Sequence, residues 1–126
     1  MIEINQIYER TFMVDDSKVK KFAEVSEDVN PLHLDEDYAK KTKFGQRIAH
    51  GMLGGGFISA TIAEKWPGAI YLEQNLWFQK PVFLDKNVIV ELHVVDQQSN
   101  NRWMVMTKVY QDNEKVISGY AILLIN

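Results

Sequence analysis

Between Ser26 and His33 the chain reads SEDVNPLH, which sets a carboxylate, Asp28, and an imidazole, His33, five residues apart across Pro31. A proline pushes the residue before it out of the helical region, so the chain must turn here and the two side chains could converge. Histidine exchanges a proton near neutral pH, and a neighbouring carboxylate can fix its tautomer or share one water with it, which is the equipment for adding or removing water. Spacing alone also allows a plainer reading, in which Asp28 and Asn30 close the preceding helix or make an Asx turn and His33 is a solvated loop residue. The second candidate is His50-Gly51, at the head of a long uncharged run. A helix N-terminus leaves N–H groups unpaired and carries partial positive charge, so it can receive an oxyanion or a carbonyl oxygen, and a glycine lets a ligand approach that backbone. His50 itself reads as a cap packed as a core or interface histidine. Ser59, two helical turns further on, reads as a small packing residue that could still line a cavity.

Other arrangements fall away. Gly54-Gly55-Gly56 is no phosphate loop, since no strand, glycine-rich turn and Lys-Ser/Thr surround it. His33 and His50 with Asp28, Asp35 and Asp37 lack any His-x-x-x-His spacing, so no metal is expected. His93 lies in a strand pattern and reads as structural or solvent-facing, and Tyr71, Trp77, Phe78 and Phe83 read as core or interface. With no cysteine there is no disulfide, thiol nucleophile or zinc-thiolate site. Fourteen basic residues stand against 17 acidic ones without a basic stripe, so no nucleic-acid partner is expected, and the net charge of −3 is a solubility term. No secretion signal opens the sequence and no apolar stretch is long enough for a bilayer, so a cytoplasmic protein without membrane contact is the expectation.

The 126 residues, 46% hydrophobic and 25% charged, suit one continuous domain, residues 1 to 126, with a real core. Ile7 to Val14 reads as a strand, and Asp15-Asp16-Ser17 offers an N-cap to a helix whose inner face is Val19, Phe22, Ala23 and Ser26. Asp35 opens a short helix through Tyr38 and Ala39. From Ile48 to Trp66 the run is apolar or small nearly throughout and is stopped by Pro67-Gly68. A helix of about fourteen residues there, ~21 Å long, belongs inside the domain. Its three glycines each cost up to ~1 kcal/mol relative to alanine, so close approach by another backbone or a ligand should offset them. Four strands are expected after it, Ile70 to Gln79, Val88 to Val95, Trp103 to Tyr110 and Val116 to Ile125, joined by turns short enough to make an antiparallel meander. The fold class is α+β, an antiparallel sheet wrapped around one buried helix. Its outer face and open edges call for a second copy of the chain.

Two stretches then carry a family pattern. FAEVSEDVNPLHLD (22–35), followed by FGQRIAHGML (44–53), resembles the hydratase motif of the MaoC-like family, which includes R-specific enoyl-CoA hydratases of hotdog fold. The likeness runs from about Ile7 to the C-terminus and takes in YLEQNLWFQKPVF (71–83). It implies that Asp28 and His33 hold and activate one water while the Gly51 N–H receives the thioester oxygen, with Asn30 shaping the turn and Ser59 near the pocket. The implied reaction is reversible hydration of trans-2-enoyl-CoA to the (R)-3-hydroxyacyl thioester. It needs no cofactor, and coenzyme A or acyl carrier protein enters only as part of the substrate. A homodimer or an oligomer of dimers is the implied assembly. Two features depart from the pattern. Asp85-Lys86 stands where a Gly-Asp is common, and the glycines at 54 to 56 are smaller than the residues expected along an acyl tunnel, so they either widen it or admit another backbone. A hotdog thioesterase, which would not need the Asp28/His33 pair, and a non-catalytic acyl-thioester binding module are the competing readings.

Overall fold

The computed structural model describes residues 1–126. β1 (Ile7–Val14) leads into α1 (Asp16–Ser26), whose N-cap Asp15 accepts the Lys18 N–H at 2.9 Å and whose Val19 and Ala23 are buried. Two one-turn helices follow, α2 (Pro31–Leu34) and α3 (Glu36–Lys40), and then α4 (Gly51–Lys65). The remainder is β2 (Ile70–Gln74), β3 (Trp77–Phe78), β4 (Lys86–Gln97), β5 (Arg102–Gln111) and β6 (Glu114–Leu124). All pairing is antiparallel, in the order β1-β4-β5-β6-β2, with β3 also on β6. Alternation along β4 and β5 turns Val88, Val90, Leu92, Val94, Val105 and Val109 towards α4, and Phe12 of β1 stacks on Phe57 of α4 at 4.4 Å between centroids. This is the α+β arrangement expected, a sheet curved around one helix. No helix is long and apolar enough to cross a membrane.

The structure corrects the strand plan in two places. The expected strand from Ile70 to Gln79 is broken at Asn75, where the chain dips onto β6: the Asn75 N–H donates to the Tyr120 carbonyl at 3.0 Å and its side-chain oxygen accepts the Tyr120 N–H at 2.6 Å. Gly119 makes room, since a Cβ there would lie 2.0 Å from the Asn75 carbonyl oxygen. Only β4, β5 and β6 form the meander. β2 and β3 sit at the far edge, on β6, and residues 79 to 85 carry the chain back past the tip of α4, where the Ala49 N–H donates to the Val82 carbonyl at 2.8 Å. The hairpin before β6 uses Asp112 and Asn113, both with positive φ (52° and 63°), the chemistry of a two-residue primed turn. Asp85 supplies the single left-handed residue (φ 64°) where the family pattern tends to have glycine.

α4 is not buried all round. Leu53, Gly54, Phe57, Ile58, Thr61 and Ile62 face the sheet, whereas Met52, Gly56, Ser59 and Ala63 are exposed, because the sheet covers one side only. The glycines divide the same way. A Cβ at Gly54 would fall 2.4 Å from Ile117 Cδ1, so a side chain, not a backbone, fills that space; at Gly56 it would meet nothing within 4 Å. Cover by a second copy was expected on the sheet's outer face, yet that face carries charged rows such as Glu9, Glu91 and Lys108 in register. Ile7, Met13 and Ile89 are exposed on that face as well, and further uncovered apolar surface lies beside α4, at Met52, Leu72, Trp77 and Phe78, with Trp77 68% exposed.

Candidate active site

The turn that follows α1 is built by its own side chains. Glu27 ends the helix with φ 63°, the Asp28 N–H donates to the Ser26 hydroxyl at 3.2 Å, and the Asn30 N–H donates to Asp28 Oδ1 at 3.3 Å. Asn30 Oδ1 then accepts the Leu32 N–H at 3.0 Å and caps α2, whose first residue is Pro31, a position where the missing N–H costs nothing. The expected turn from Asp28 to His33 therefore contains a full helical turn, which swings His33 inward. His33 is 9% exposed, and its Nδ1–H donates to the Ile48 carbonyl at 2.7 Å. That bond leaves Nε2 as the nitrogen with the free lone pair. Arg47 clamps the other side: its Nε–H donates to the His33 carbonyl at 2.8 Å while its guanidinium pairs with Asp16 of α1 at 2.7 Å.

Asp28, His33, His50 and Gly51 line one open cavity of about 540 Å³, closed on the far side by Phe78 and Val82. One ligand atom each from Asp28, His33 and His50 lies within 4.8 Å of the others. A water bonded to two groups at its tetrahedral angle spans roughly 4.6 Å, so a single water fits between the carboxylate and the imidazole. Burial pushes the His33 imidazole below its ordinary value, with His50 acting in the same direction and the Ile48 carbonyl and Asp28 opposing. A neutral ring with an accepting nitrogen is the form a general base requires. Gly51 is the first residue of α4, so its N–H has no acceptor within the helix. The absent side chain at Gly51 admits the Phe78 ring, which would lie 2.7 Å from a Cβ.

Of the residues singled out in the sequence, Asp28, His33 and Gly51 meet at this cavity, and Asn30 shapes its rim as the α2 cap. Ser59 does not join them. Eight residues beyond Gly51, it is carried ~12 Å along α4 and roughly a quarter turn around it. There it lines an adjoining crevice with Gly55, Tyr71 and Met52, the last of which also lines the first cavity, and burial pushes the Tyr71 phenol up to about 12 against the opposing effect of the Ser59 hydroxyl. His50 is the residue whose place the sequence reading missed. It is a buried histidine, as expected, but it sits inside the cavity wall: its Nε2 lies 2.9 Å from the Asp28 backbone carbonyl, and its ring lies 4.1 Å from the His33 ring. The signal was its position, an N-cap slot held by a residue that makes no capping bond. The Asp28, His33 and His50 trio has the residue types of a metal site. Two of its ring nitrogens are already engaged, His33 Nδ1 with the Ile48 carbonyl and His50 Nε2 with the Asp28 carbonyl, and the two rings pack tilted at 34°.

Comparison with known proteins agrees with this geometry. The model of the MaoC-like domain matches residues 2–116. A 3-hydroxybutyryl-CoA dehydratase of Methylorubrum extorquens is 42% identical over 87% of this chain and 72% of its own. An (R)-specific enoyl-CoA hydratase of Rhodospirillum rubrum is 37% identical over 89% of this chain and 80% of its own. Among solved structures, the unliganded R-hydratase PhaJ1 of Pseudomonas aeruginosa superposes with a TM-score of 0.94 at 42% identity, covering 98% of this chain and 82% of that one. The sheet wrapped around α4 is thus the hotdog fold of the R-hydratases, and the chain belongs to the MaoC-like domain family.

Proposed function

We propose that the protein is a hydro-lyase that reversibly hydrates trans-2-enoyl-CoA to (R)-3-hydroxyacyl-CoA, with Asp28 and His33 as the acid/base pair. The observation that carries this reading is that Asp28, His33 and the Gly51 tip of α4 line one cavity, with His33 Nδ1 held by the Ile48 carbonyl. A water between the first two loses a proton to the pair as its oxygen bonds to C3. The electrons of the double bond move towards the thioester oxygen, which the Gly51 N–H receives, and the pair returns one proton to C2, so that one molecule of water is added. Each acid/base contribution supplies roughly a hundred- to ten-thousandfold, and an oxyanion donor roughly a hundred- to a thousandfold, enough without a cofactor. The R configuration rests on the activities named for the relatives.

Two further parts of the reading concern setting. The uncovered apolar strip beside α4 is occupied by a second copy, giving a homodimer in which two-fold symmetry brings the same strip of each chain together. The absence of cysteine suits a reducing, cytoplasmic compartment. The test is incubation of purified protein with crotonyl-CoA, following loss of enoyl absorbance and release of free thiol, with crotonyl-acyl carrier protein in parallel. Hydration lost in both Asp28→Asn and His33→Ala is the expected result. Thiol release would replace this reading with the thioesterase, and bound but unchanged substrate with a binding module.

A further inference from the structure

His50 lines the cavity and touches both members of the acid/base pair. Its Nε2 reaches across 22 residues of sequence to the Asp28 carbonyl at 2.9 Å. Its ring packs on His33 at 4.1 Å and on Phe22 of α1 at 4.9 Å. It is itself the N-cap of α4, one bond from Gly51, and it is 2% exposed. Nδ1 is buried with no hydrogen-bond partner, which suits the bare lone pair of a tautomer whose proton is on Nε2. Asp28, in contrast, stands on an exposed turn whose far end is anchored by His33 and Arg47, and the His50 bond links Asp28 itself to the tip of α4.

We propose that His50 is the positioning residue of the site, using its Nε2–H to tie the Asp28 turn to the tip of α4 and its ring to fix the plane of His33. The inference rests on the hydratase reading. A displacement of about 1 Å in such a pair costs on the order of a hundredfold in rate, so the turnover number should suffer where substrate binding does not. His33 is faced by Asp28 from the turn and by His50 from the tip of α4, with Arg47 on its carbonyl and Lys43 and Lys80 elsewhere on the cavity wall. Of these, His50 is the neighbour in ring contact with His33, and it acts alongside burial to lower the His33 imidazole.

The experiment compares His50→Phe, which keeps a ring against Phe22 and His33 but removes the donor, with His50→Gln, whose amide N–H can still reach the Asp28 carbonyl. Both are assayed on crotonyl-CoA against pH, beside wild type and Asp28→Asn, with melting curves to establish folding. His50→Phe should lower kcat at least thirtyfold with KM within threefold, and His50→Gln should recover most of that loss. In His50→Phe the acid-side limb of the kcat/KM profile, set by His33, should also shift. A folded His50→Phe with wild-type kcat and an unmoved limb would overturn the proposal, as would a His50→Gln no faster than His50→Phe. Failure of the hydratase reading itself would show separately, as wild type and Asp28→Asn of equal activity.

Discussion

The two flanks of α4 are finished in opposite ways. At its tip the chain closes on itself with polar contacts: the His33 ring on the Ile48 carbonyl, His50 on the Asp28 carbonyl, and Arg47 bridging the His33 carbonyl to Asp16. Along the other flank Met52, Gly56, Ser59 and Ala63, with Leu72 and Trp77 beyond them, present an apolar or small surface that nothing in the chain covers. The polar flank is complete because buried donors and acceptors cannot wait for a partner without cost. Apolar surface can wait, since its burial is non-directional and is gained on association. One chain therefore closes the polar flank with its own groups and leaves the apolar flank open.

The contrast breaks most sharply in turnover. Asp28→Asn removes the carboxylate while keeping its shape and should lower kcat by roughly a hundred- to ten-thousandfold. Ser59→Ala, on the other flank, should change kcat by less than about threefold, beneath the ~0.7 kcal/mol that such a ratio represents. Steady-state rates on crotonyl-CoA check both, and a Ser59→Ala loss comparable with that of Asp28→Asn would make the Ser59 crevice part of the site it adjoins at Met52.

On the open flank the expected failure is of assembly. Trp77→Asp places a charge on a side chain that is 68% exposed in the single chain, so the fold should stand. Two-fold symmetry presents the charge twice at the interface, and dimer dissociation should rise by roughly a hundredfold, about 2.8 kcal/mol. Sedimentation at graded concentrations reads this; a variant that stays dimeric at wild-type affinity would place the interface elsewhere.

What the sequence made legible follows the same division. Local chemistry read well in the Asp15 and Asp35 caps and the Asp112-Asn113 turn, which follow from residues close in sequence, whereas the meeting of Asp28 and His33 with Gly51 was implied by the family resemblance, spacing alone leaving the plainer turn open. What was not legible depended on partners distant in sequence. The break at Asn75 needs Gly119, 44 residues later, and nothing in an alternating apolar run announces it. Ser59, read as a small packing residue and set near the pocket by the family resemblance, is exposed and lines the adjoining crevice, because the strands that would have to cover it are packed against the opposite side of α4. His50 passed as a packed histidine because its acceptor is a backbone carbonyl, which has no residue type to read.

A smaller effect separates the two sides of the glycine run. Alanine at Gly56 meets no neighbour and should gain up to ~1 kcal/mol of helix propensity in the monomeric Trp77→Asp background. Alanine at Gly54 must displace the Ile117 methyl, which is 2.4 Å from the new carbon in a packed core, and should lose that gain and more. Urea midpoints of the two variants should therefore straddle that of their parent, Gly56→Ala above it and Gly54→Ala below, and the reverse order would mean that Ile117 does not hold its place on α4.

The smallest effect expected is in the pH dependence of stability. Burial holds the His33 imidazole below its ordinary value of 6.5 in the folded chain, so the unfolded chain binds more protons in the interval beneath that value. Stability linked to His33 is then fully present above pH 6.5 and falls as pH drops towards the folded value. His33→Gln removes that proton and should flatten the dependence between pH 7 and 5, as read from paired thermal melts, whereas Ser59→Ala should leave it as in wild type. If the His33→Gln slope matched wild type, the imidazole at the tip would be as open to water as the exposed flank, and the difference between the two sides of α4 would be one of packing alone.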